Sequence, residues 1–102
     1  MEIAGKVGVI TGAASGIGRA VAMDLARRNV RAVAMVDMGE NVGAVADEVN
    51  AQTGRKVAIP FRGDTTDDAF RVSVYDKMSK DFDTVRMCVP AAPTTARSLS
   101  MT

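Results

Sequence analysis

The residues of this chain whose types and spacing point to chemistry lie in Thr11-Gly12-Ala13-Ala14-Ser15-Gly16-Ile17-Gly18. Glycines at such positions let a chain turn sharply, approach a phosphate closely and seat a helix tightly on a sheet. A helix starting here turns N–H groups that lack intrahelical acceptors, and a positive dipole end, toward an anion such as a pyrophosphate. Ser15 adds a hydroxyl. The second element is Asp37, 19 residues after Gly18. A carboxylate there accepts hydrogen bonds from both ribose hydroxyls of an adenosine and repels a 2′-phosphate, which favours NAD over NADP. Gly12, Ala14, Ser15, Gly16, Ile17, Gly18, Asp37 and the adjacent Met38 are thus the predicted cofactor contacts. The plainer alternatives are a tight turn between a strand and a helix for the glycines, and a solvent-facing turn acid for Asp37. Arg19, just after the last glycine, steadies phosphates or faces solvent.

Such a loop needs a strand before it and a helix after it. Lys6 to Thr11 is a short apolar run read as a buried strand, and from Gly16 to Arg28 apolar residues recur at Ile17, Ala20, Val21 and Leu25, as on an amphipathic helix. Arg31 to Val36 reads as a second strand ending at Asp37. Glu40 to Gln52 repeats the helical rhythm through Val42, Val45, Ala46 and Val49, and Gly54 supplies the stop. Lys56 to Phe61 is a third strand; Pro60 cannot donate to a ladder, which places this strand at an edge or ends it there. Thr65 or Thr66 is the expected cap of a third helix, with Asp67 and Asp68 in its first turn and a ladder of Phe70, Val74, Met78 and Phe82. Thr84 to Val89 is a fourth strand. The expected fold class is therefore α/β: a partial Rossmann, doubly wound parallel sheet, β-α-β-α-β-α-β, truncated after the fourth strand. Residues 1–92 form the domain, and 93–102 lack a period and read as an irregular tail.

The cofactor loop is similar to that of the short-chain dehydrogenase/reductase family, and Arg62-Gly63-Asp64-Thr65-Thr66-Asp67 resembles that family's Asp-Val-Thr-Asp stretch after the third strand. The resemblance spans residues 1 to about 92. It implies that the Asp64 side chain lies near the adenine amine, with further cofactor contacts at Thr65, Ala91 and Ala92. On residue chemistry alone Asp64 is equally a turn acid before a helix. The intact family member transfers hydride between a nicotinamide and a carbonyl or secondary alcohol. Where the family carries Asn-Asn-Ala-Gly, this chain has Pro90-Ala91-Ala92-Pro93, which removes both side-chain amides and, at Pro93, an N–H. The family's catalytic Ser and Tyr-x-x-x-Lys are absent: the single tyrosine, Tyr75, is followed at the fourth position by Ser79. Tyr75 reads as a partly buried helix residue, and no catalytic residue is nominated.

Composition narrows the remaining classes. With no His and one Cys, the chain cannot hold a Ser-His-Asp site, a His-ligated metal or an internal disulfide. Cys88, inside the fourth strand, reads as a small buried hydrophobe. A net charge of +1 gives no reason to expect nucleic acid or a charged membrane surface. The absence of a signal-like or spanning segment reads as cytoplasmic. An oligomer is possible, although the family's dimer helices are not within these residues. A four-stranded sheet with one face thinly covered implies a marginal fold. The expectation is the NAD-binding half of an oxidoreductase, inactive as this fragment, with a non-catalytic dinucleotide-binding or interaction module as the alternative.

Overall fold

A computed structural model describes residues 3–90. The elements follow the expected alternation: β1 (Val7–Thr11), α1 (Gly16–Arg27), β2 (Ala32–Asp37), α2 (Val42–Thr53), β3 (Ala58–Arg62), α3 (Asp68–Asp81) and β4 (Val85–Pro90). The expected tail, 93–102, lies outside the described residues.

The four strands form one parallel sheet in the order β3-β2-β1-β4. The chain winds outward from β1 through β2 to β3, then crosses back to lay β4 on the other side of β1. That reversal opens a crevice at the carboxyl ends of β1 and β4, the place where open α/β sheets hold ligands. This is the partial Rossmann arrangement expected from the sequence, and β3 is an edge strand, as Pro60 requires.

The strands bury because parallel sheets are covered on both faces. Every residue of β2 from Ala32 to Val36 is buried. One core, containing Ile10, Val33, Met35, Val42, Ala46 and Val49, lies under α1 and α2. The second, on the α3 face, gathers Val7, Val9, Ala34, Val36, Val74 and Met78, with Phe70 and Phe82 packed against it. The α3 ladder thus faces the sheet as expected.

The stripe expected on α1 is rotated. The buried residues are Gly18, Ala22, Leu25 and Ala26, whereas Ile17 is 55% exposed and Ala20 also faces solvent. At Gly18 the buried face must be small because the first turn of α1 lies against the glycine loop: a Cβ there would sit 2.6 Å from the Ala13 Cα. β4 also departs from expectation, since its residues alternate between half-buried and exposed and Cys88 is exposed rather than buried. Among the described residues β4 has only β1 beside it, so its outer flank lacks cover.

Two side chains fix the lower framework. Arg55 donates through Nη2 to the carbonyls of Ala26 and Val30, at 3.1 and 3.3 Å, bracing the last turn of α1 and the loop that leads to β2. The Asn50 amide receives the Ala58 N–H at Oδ1 (2.8 Å) and donates to the Ala58 carbonyl (3.0 Å). α2 stops where Gly54 adopts a left-handed φ of 72°.

Candidate functional site

The glycine loop leaves β1 at its carboxyl end. Gly12 takes a φ of 68°, a conformation costly for other residues, and so turns the chain back toward α1. Gly18 is held by contact instead, because a side chain there would strike the Ala13 backbone. Ser15 caps α1: its hydroxyl accepts from the Gly18 N–H at 3.0 Å and donates to the Gly12 carbonyl at 2.8 Å. The sequence reading offered this hydroxyl to a ligand and missed its role as cap. Ala13 N–H bonds the Val36 carbonyl, tying the loop to β2.

Gly16 differs from its two companions. Its φ lies outside the positive range, and a Cβ built on it meets nothing within 4 Å. Neither backbone strain nor packing requires glycine there. The Gly16 and Ile17 amides also take no acceptor among the described residues, while those of Ala13, Ala14, Ser15 and Gly18 are engaged. Two free N–H groups at a helix start, both on exposed residues, form an anion-accepting corner.

Asp37 ends β2 beside that corner. Its Oδ2 accepts from the Ala14 N–H at 2.9 Å and its Oδ1 from the Gly39 N–H at 2.8 Å. Each carboxylate oxygen has a further lone pair available. Met38, the next residue, is 66% exposed although apolar, as is Ile17 at the helix start. Arg62, the last residue of β3, is in register with Asp37 yet does not pair with it. It donates from Nε to the Met38 carbonyl at 3.4 Å and stands 3.7 Å from Glu40. Arg19 is drawn onto α2 by Glu48, at 2.8 Å.

Asp64 is exposed, and its Oδ1 accepts from the Thr66 N–H (2.8 Å) and the Thr66 hydroxyl (2.7 Å). The Thr66 hydroxyl, then its N–H, lowers the Asp64 pKa, and slight desolvation opposes them. The carboxylate thus organises the turn ahead of α3. The cap of α3 is Asp67, not Thr65 or Thr66, because its carboxylate accepts from the Ala69 and Phe70 amides. Thr65 is half-buried and lines a cavity of about 50 Å³ with Val9, Phe70, Tyr75 and Cys88. That space suits a few waters, not a nucleotide. Tyr75, 38% exposed, has its pKa raised by the Cys88 side chain first, then by burial and the Cys88 charge, against Arg71. Of the residues named from the sequence, the structure brings Gly12 through Gly18 together with Asp37 and Met38. Asp64 and Thr65 stand at the same end of the sheet on the α3 side, and Ala91 and Ala92 lie outside the described residues.

Among the described residues, no helix is long and apolar enough to cross a membrane. A family model described as short chain dehydrogenase matches residues 6–100. The 3-oxoacyl-(acyl-carrier-protein) reductase FabG of Escherichia coli is 32% identical over 101 residues, which cover 99% of this chain and 39% of that protein. Human 17-beta-hydroxysteroid dehydrogenase type 3 is 39% identical over 66 residues, 21% of its length. The chain therefore spans well under half of the relatives it matches. Among solved structures, NAD⁺-bound xylitol dehydrogenase superposes with a TM-score of 0.74 at 28% identity, over 86% of this chain and 33% of that one. A metagenomic short-chain oxidoreductase in complex with NADP shares the fold, with a TM-score of 0.72 at 24% identity over 86% of this chain and 39% of its own.

Proposed function

The chain belongs to the short chain dehydrogenase family, and on that premise we propose that it is the dinucleotide-binding half of an oxidoreductase and prefers NAD. The observation that carries this reading is the pair of exposed amides at Gly16 and Ile17 that take no acceptor among the described residues, in the loop that Ala14 ties to the Asp37 carboxylate. The fit is chemical. Gly16 and Ile17 N–H groups suit a pyrophosphate, the absence of a Gly16 side chain lets it come close, and Asp37 keeps lone pairs for two ribose hydroxyls. The exposed apolar surfaces of Ile17 and Met38 would be covered by the same ligand. Relatives solved with NAD⁺ and with NADP support a nicotinamide dinucleotide, and Asp37 argues for the form without a 2′-phosphate.

When bound, the nicotinamide supplies a hydride acceptor or donor toward a carbonyl or secondary alcohol. This chain's own residues bind and orient the adenosine and pyrophosphate. The family's proton-transferring Tyr-x-x-x-Lys has no counterpart among the 102 residues, so turnover is not expected from this chain alone. Titration of the protein with NADH and NADPH tests the reading: binding of NADH, tighter than NADPH and weakened by Asp37→Ala, supports it. No binding of either by folded protein would overturn it.

The same sequence facts favour a second reading, a dinucleotide-binding module without catalysis. Pro90 and Ala91 stand where the family has two Asn, and Pro93 where it has Gly, which weakens the nicotinamide end. Dehydrogenase turnover by the purified chain would exclude this alternative. A cytoplasmic setting is part of the first reading.

A further inference from the structure

We propose that Arg62 is a second determinant of cofactor choice: a latent guanidinium site for a 2′-phosphate, masked by Asp37 and Glu40. The proposal rests on the dinucleotide reading above. Asp37 and Arg62 are the last residues of adjacent parallel strands and are paired in register. Their Cα atoms are therefore about 5 Å apart with both side chains on the same face. The Gly63 N–H bonds the Asp37 carbonyl at 2.9 Å, which fixes the two strand ends against each other.

Opposite charges so placed would ordinarily pair. Here each has turned to other partners. The Asp37 carboxylate is held by the Ala14 and Gly39 amides, while Arg62 leans over the Met38 carbonyl toward Glu40. Arg62 is held weakly: its two contacts are 3.4 and 3.7 Å long, and the Arg62 and Glu40 side chains are 60% and 87% exposed. An exposed pair of this kind contributes little and yields readily to a stronger anion. Arg19, the other cation near the loop, is bonded to Glu48 at 2.8 Å and is less available.

A ribose whose hydroxyls bond Asp37 has its 2′-oxygen beside that carboxylate, and Arg62 stands one strand away. A phosphate on that oxygen meets repulsion from Asp37 and attraction from a guanidinium suited to bidentate phosphate contact. With the Asp37 carboxylate in place, repulsion decides for NAD. With an amide in its place, Arg62 decides for the phosphorylated form.

The test is calorimetric titration of the full chain with ADP-ribose and with 2′-phospho-ADP-ribose, which probe this half-site without the nicotinamide. Asp37→Asn is expected to move the affinity ratio toward the 2′-phosphorylated ligand by about tenfold. Adding Arg62→Ala should return most of that shift, and adding Arg62→Lys only part of it. Glu40→Gln alone should tighten 2′-phospho-ADP-ribose and leave ADP-ribose unchanged. Circular dichroism of each variant controls for folding. If ADP-ribose binds but Arg62→Ala leaves the ratio in the Asp37→Asn background unmoved, the role of Arg62 is wrong and the dinucleotide reading stands. If the native chain binds neither ligand, both fall.

Discussion

The Asp37 carboxylate accepts the Ala14 N–H at 2.9 Å, joining residues 23 apart in sequence and tying the end of β2 to the glycine loop. The residue chosen to face a ribose thus also shapes the loop that would face the pyrophosphate. With its other oxygen on the Gly39 N–H, it holds the glycine loop and the turn after β2 together, both halves of the candidate site. Preorganisation of this kind reduces the ordering cost of binding.

Asp37→Ala should therefore weaken NADH binding by about tenfold or more and also destabilise the fold by about 2 kcal/mol, the scale of charge-assisted bonds lost from a half-buried group. NADH titration and urea unfolding of the same samples check the two effects. A variant with weakened binding and unchanged stability would show that the contact to Ala14 carries no structural weight.

Gly16→Ala and Gly18→Ala should separate binding from folding. A Cβ at Gly18 lies 2.6 to 2.8 Å from Ala13 backbone atoms, so Gly18→Ala should cost about 1–3 kcal/mol or more in stability. At Gly16 the Cβ meets nothing, so the melting temperature should hold or rise slightly while NADH affinity drops. Thermal melts and titrations of both variants decide the matter, and equal losses of stability would contradict it.

Asp64 titrates below its ordinary value because the Thr66 hydroxyl and N–H favour its charged form. With a lowered folded-state pKa, its contribution to stability is present above the unfolded-state value and is lost as pH falls through the folded-state value. Thr66→Val should raise the Asp64 pKa toward the ordinary range while leaving the backbone bond in place. A pH titration of the Asp64 carboxyl carbon by NMR reads this directly; an unmoved midpoint would assign the shift elsewhere.

Tyr75 is the single tyrosine in a chain without Trp, so its ionisation can be followed by ultraviolet absorbance alone. Its raised pKa, due first to Cys88 and then to burial, means that the fold favours the neutral phenol. The associated stability is complete below the unfolded-state pKa and is lost as pH rises through the folded-state value. Cys88→Ala should lower the Tyr75 midpoint, and a midpoint that stays put would leave burial as its cause.

The alternation of strands and helices was legible because each element carries its own period and punctuation, as with the glycine turn at Gly12 and the stop at Gly54. The loop and Asp37 were legible through their spacing. What sequence could not supply was distance. The inner face of α1 belongs to Gly18, Ala22, Leu25 and Ala26, and it starts at Gly18 because a side chain there would strike the Ala13 backbone of the loop. Cys88 is apolar in pattern but exposed because of the position of β4 in the strand order, which no local window encodes. Arg62 acquires its interest only through its register with Asp37, a relation between strands 25 residues apart in sequence.

The Asn50 amide has a consequence for how copies of this chain meet. Unpaired strand edges recruit other strands and seed aggregation. At β3 the outward N–H and carbonyl of Ala58 are both taken by Asn50, and Pro60, two residues on and facing the same way, brings no N–H. The outer rim of β3 thus has no donor to offer at either position. Asn50 works as an insulating strip, a side chain imitating the missing neighbour, and it steers any intermolecular strand pairing away from that flank.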